Sequence, residues 1–183
     1  MHELIDRELY QAIEYAKNID QDTGRSIIEQ FQADQPILAQ TIFSLFPSMI
    51  NAQNQDMAHL FMDLCFDVIC IYQHAFGDMP VQNEEWLKKQ AALMEAELQS
   101  FLKKNKMSAK AKAKLQAPLY QQSTGEVAQT GLVKFMNDSI DTYAAEIPNS
   151  APSIKMTETM MFAVIGMFSK LYSQEVIIKG RVH

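Results

Sequence analysis

Cysteine, glycine and proline are scarce in this 183-residue chain, at two, six and six. Two cysteines exclude a disulfide-stapled scaffold. Cys65 and Cys70, five residues apart on one helical stretch, point roughly 140° from each other and cannot pair within it. Both are expected as buried thiols of a cytoplasmic protein. So little Gly and Pro argues against a strand-and-turn architecture, which needs a turn signal about every 8–12 residues. The sequence holds no Gly-rich phosphate loop, no Gly-x-Ser-x-Gly elbow and no Cys-x-x-Cys pair, so the commonest nucleotide, hydrolase and redox signatures are missing. Met1–Glu8 carries acids and no long apolar run, so no signal peptide is expected.

What is present is helical. The chain is 48% hydrophobic and 21% charged, which argues against disorder, and its length suits one domain, residues 1–183. Twelve methionines fit an adaptable helical core. The spacing predicts an all-α, single-domain multi-helix bundle of seven or eight helices. A first helix runs over Glu3–Asn18, and the polar break Asp20–Gly24 ends it. Ser26 and Glu29 stand in capping-box relation and open a short helix to Ala33. Asp34 caps a third, with Pro36 in its first turn and Pro47 as its stop. The fourth extends from near Asn54 to Phe76, where Gly77 closes it. Asn83 opens a fifth that reaches Asn105, and Pro118 and the Ser123–Glu126 box bound a sixth section. The seventh spans Val127–Glu146 and the last Ile154–Ile178. The β-branched cluster Val176–Ile178 has no partner strand and is kept helical.

Met57–Phe76 is the densest apolar stretch, with only His59, Asp63, Asp67, Gln73 and His74 polar among its twenty residues. At 100° per residue these five fall within roughly 120°, and Cys70 lies inside the same arc. The segment reads as a central helix with one narrow polar seam. Leu64 and Val68, opposite the seam, belong to the deep core. His59, Asp63, Asp67 and His74 follow the i, i+4 spacing with which helices present metal ligands. The seam is long for one ion, at roughly 22 Å, and Glu-x-x-His pairs on other segments are lacking. A solvated or paired polar stripe is therefore the first reading, and no cofactor is expected.

Charge is split along the chain. The net charge is −6, yet no acid occurs between Leu98 and Gly125, where Lys103, Lys104, Lys106, Lys110, Lys112 and Lys114 cluster. Such a patch can meet phosphates, but it contains no arginine and no interleaved aromatics for stacking on bases. A solvated, mobile helix or linker is the first reading, contact with an acidic partner or a neighbouring subunit the second, and nucleic acid the last. In the last helix, Ala163, Gly166, Ser169 and Ser173 form a small-residue side opposite a broad apolar one. A glycine inside a helix costs up to about 1 kcal/mol relative to alanine, so close approach of another helix is expected at Gly166, within the monomer first and at a subunit interface second. The sequence thus points to a non-enzymatic protein–protein interaction or regulatory module. It is expected as a homodimer or with another protein partner, and away from membranes. The alternatives are a metalloprotein using the seam and a nucleic-acid-associated protein using the lysines.

Overall fold

Side-chain caps mark two of the helix starts, at Asp20 and Asn54. The computed structural model describes residues 1–80, 85, 88, 89, 92, 129–148 and 151–179, with 174–179 described by backbone. Helix α1 (Asp6–Lys17) starts with acids in its first turn, where Glu8 Oε2 accepts the Ile5 N–H at 3.2 Å. Asp20 caps α2 (Gln21–Asp34), accepting from the N–H groups of Asp22 and Thr23 at 3.1 and 2.9 Å. The residues expected to form a polar break are therefore the opening turn of α2. Gly24 lies inside that helix, and a Cβ there would sit 3.3 Å from the Phe66 ring.

Pro36–Gln40, Thr41–Leu45 and Phe46–Asn51 follow without a break in helical dihedrals and form one helix, α3. Pro36 occupies its first turn, as expected. Pro47 does not stop it. The turn Thr41–Leu45 widens to π geometry, with the Phe46 N–H reaching back to the Thr41 carbonyl. That widening moves the preceding turn away from the proline ring and lets the helix continue to Asn51.

Helix α4 (Gln55–Phe76) is capped by Asn54, whose side chain accepts the Met57 N–H at 3.0 Å. It ends at Gly77, whose φ of 86° a side chain would rarely adopt. Helices α5 (Thr130–Glu146) and α6 (Ala151–Lys179) follow, and Val176–Ile178 is helical. Six helices can be traced from end to end among the described residues, against the seven or eight expected, and no strand is found among them. Most of the expected fifth helix and the whole sixth section lie outside the described residues; Glu85, Lys88, Lys89 and Ala92 are helical and exposed.

The chain is all-α, and α4 is its axis: α1, α3, α5 and α6 all touch it. Leu64 and Val68 are 6% and 0% exposed, so the apolar side assigned from periodicity faces the core. Tyr72 anchors the contact with α6. Its hydroxyl donates to the Ile165 carbonyl at 3.1 Å and pairs with Ser169 Oγ at 2.8 Å, and its ring packs on Phe168 and Tyr172. Such a buried hydroxyl needs these partners, since an unpaired one would cost on the order of 1–3 kcal/mol. No described helix is long and apolar enough to cross a membrane.

Candidate functional site: the polar seam of the central helix

The five polar side chains of Met57–Phe76 share one side of α4 but not one environment. His59, Asp63 and His74 are exposed, Asp67 and Gln73 are half-buried, and Cys70, inside the same arc, is fully buried. The seam therefore dips into the protein over Asp67–Gln73 and returns to solvent at both ends. The C-terminal end of α1 meets it there. The Tyr15 ring stacks on His74, with centroids 4.5 Å apart and planes 22° apart. The Lys17 charge acts on Asp67, while its ammonium lies 5.7 Å from the Phe135 ring of α5. α1 can lie against this side because Leu9, Ala12, Ile13 and Ala16 give it an apolar inner stripe.

This placement sets the ionisation of the seam. Burial raises Asp67 to about 6, the charge of Asp63 one turn earlier adds to the rise, and Lys17 opposes it. Burial pushes the Cys70 thiol up to about 12, with Asp67 contributing, and Cys65 is raised well above its usual range for the same two reasons. Both cysteines are free, buried and protonated, which makes them packing groups and poor nucleophiles.

The proposed metal ligands are not gathered. His59, Asp63, Asp67 and His74 extend along the helix, and among the described residues no three His, Cys, Asp or Glu side chains come close enough to hold an ion. What the seam offers is one carboxyl that titrates near pH 6, flanked by an exposed carboxylate and an exposed histidine–tyrosine stack. The six lysines Lys103–Lys114 lie outside the described residues. On α6, Gly166 is half-exposed, and a Cβ built there meets no described atom within 4 Å. The close helix contact expected at this glycine is not made within the described fold.

Two buried glutamines escaped the sequence reading. Gln35, fully buried between α2 and α3, donates from Nε2 to the Pro80 carbonyl at 2.7 Å, while its Oε1 has no partner among the described residues. Gln129, 2% exposed, bridges residues 2 and 4: Oε1 accepts the Leu4 N–H at 2.9 Å and Nε2 donates to the His2 carbonyl at 2.8 Å. A polar side chain next to a helix start reads as solvated unless its partner, 125 residues away, is known.

The fold and the seam define an all-α protein built around one buried amphipathic helix whose polar edge is partly covered by α1. No protein-family model, curated protein or solved structure matches the chain.

Proposed function

We propose that the protein is a non-enzymatic interaction module that pairs with a second copy of itself through the outer side of α6. Gly166 carries this reading. Glycine in mid-helix weakens the helix by up to about 1 kcal/mol relative to alanine, and no described neighbour requires the missing Cβ. The surrounding side consists of half-buried Phe162, Ala163, Lys170 and Ser173, which suits close approach of a helix from another subunit. The buried, protonated thiols suit a cytoplasmic setting.

Sedimentation equilibrium on wild type, Gly166→Ala and Gly166→Leu tests the proposal. The expected result is a wild-type dimer at tens of micromolar that Gly166→Leu dissociates. Gly166→Ala should raise monomer stability by roughly 0.5–1 kcal/mol, because the site is open, while weakening association. A wild type that stays monomeric at these concentrations removes the dimer. The metal reading of His59, Asp63, Asp67 and His74 returns if protein purified without chelator or affinity tag holds stoichiometric iron, manganese or zinc.

A further inference from the structure

Two side-chain amides tie the turn between α3 and α4 to the approach and first turns of α6. Asn54, whose side-chain oxygen caps α4, donates from Nδ2 to the Pro148 carbonyl at 2.9 Å. Beside it, Gln53 Nε2 donates to the Met156 sulfur at 3.5 Å. A thioether is a weak acceptor, so this second tie is the looser one. Gln53 is exposed, and Met156 is half-buried on α6 with its side chain against the core. Six of the ten described methionines are buried, while Met1, Met49, Met62 and Met156 are partly open to solvent. Among the described residues only Met156 has a hydrogen-bond donor on its sulfur. Cys65 and Cys70 are fully buried, so a dissolved oxidant meets methionine sulfur first.

We infer that Met156 is an oxidation site for hydroperoxides, and that its sulfoxide tightens the tie between the α3–α4 turn and α6. In the step, the sulfur lone pair takes up one peroxide oxygen and the O–O bond breaks. With hydrogen peroxide, the proton on the transferred oxygen passes to the departing hydroxide, which leaves as water. The thioether is thereby oxidised to the sulfoxide and the peroxide is reduced. A sulfoxide oxygen is a far stronger acceptor than a thioether sulfur, and the Gln53 amide already points its N–H at this atom. Oxidation of an apolar side chain ordinarily loosens packing. Here the polar product has a donor waiting, and the exposed Gln53 side chain is free to adjust to the added oxygen. At Met1, Met49 and Met62 no such donor stands among the described residues.

Treatment of the full-length protein with hydrogen peroxide, followed methionine by methionine with peptide mass spectrometry, tests the first part. Met156 should oxidise at least about tenfold faster than Met57, Met136 and Met160, which are 0% exposed. Native-state amide hydrogen exchange tests the second. The amides of Gln53 and Asn54 bond the Ile50 carbonyl and report opening of the turn. Their exchange should slow by about threefold on oxidation of the wild type. It should not slow in Met156→Leu or in Gln53→Ala given the same treatment. Gln53 is exposed and Met156→Leu nearly conserves volume, so both variants keep the fold. Oxidation at Met156 no faster than at the three buried sulfurs overturns the inference. Unchanged or faster exchange in the oxidised wild type does so too, as does equal slowing in either variant.

Discussion

Replacing Gln129 by alanine isolates the clamp that holds residues 2–4 to the start of α5. The amide side chain makes two bonds there, accepting from the Leu4 N–H at 2.9 Å and donating to the His2 carbonyl at 2.8 Å. Next to it, the Thr130 N–H donates to Glu3 Oε1 at 3.2 Å, and the Thr130 hydroxyl donates to the same carboxylate oxygen. Each neutral bond contributes a net of about 0.5–1.5 kcal/mol, and a buried donor left unpaired costs on the order of 1–3 kcal/mol. Leu4 and Gln129 are 6% and 2% exposed, so water cannot easily replace the lost acceptor, whereas the carbonyl of exposed His2 can be solvated. Gln129→Ala should therefore cost roughly 2–4 kcal/mol. Glu3→Ala removes only an exposed cap and should cost about 1 kcal/mol. The two changes release one segment, so the double variant should cost less than the sum of the singles. Equilibrium urea denaturation reads all three as shifts of the midpoint. A loss below about 0.5 kcal/mol in Gln129→Ala, or strict additivity with Glu3→Ala, would refute the clamp.

Two further predictions concern α4. Leu64→Ala should cost roughly 2–5 kcal/mol, because the side chain is buried and its loss leaves a cavity, while Asp63→Ala at an exposed position should change stability by less than about 0.5 kcal/mol. The same urea titrations decide, and the reverse order would mean that the seam is an internal polar network. Asp67→Asn should stabilise the protein at pH 8 and have little effect at pH 4. The raised ionisation favours the protonated fold, so its stabilisation is complete below about pH 3.8 and is lost as pH rises through about 6. A shift of about two units is worth at most ~3 kcal/mol, which partial exposure of Asp67 reduces to about 1 kcal/mol. Identical midpoints for wild type and variant at pH 8 would contradict the assigned cause.

Local sequence signals identified elements better than their boundaries. α4 was legible because a run of fifteen apolar residues among twenty, an Asn cap and a terminal glycine all agree, and Asn54 and Gly77 act as that agreement requires. Asp20–Gly24 was misread because an aspartate followed by polar residues is equally a break and a cap. The apolar spacing Ile27, Ile28 and Phe31 that follows is what makes Asp20 the start of α2. At Pro47 the sequence rule is sound, since proline does remove a helix bond, but a wider turn is a second way to accommodate it. Burial of Phe46, Pro47 and Ile50 against the core favours continuation over a stop. Nothing local to residue 47 carries that information.

The seam shows where periodicity stops being informative. An angular projection places His59, Asp63, Asp67, Cys70 and His74 within one arc, and by that measure they are equivalent. Their environments differ along the axis instead: exposed at 59 and 63, half-buried at 67, buried at 70 and exposed again at 74. α1 packs on the same helix, with its Tyr15 on His74 and the charge of its Lys17 acting on Asp67. A carboxylate at position 63 is consequently an ordinary surface group, while the same group one turn later loses water and faces a like charge. The ionisation of Asp67 is therefore set by its burial, by Asp63 on the same helix and by Lys17 of α1, and removing Lys17 should raise it further while the sequence of α4 stays the same.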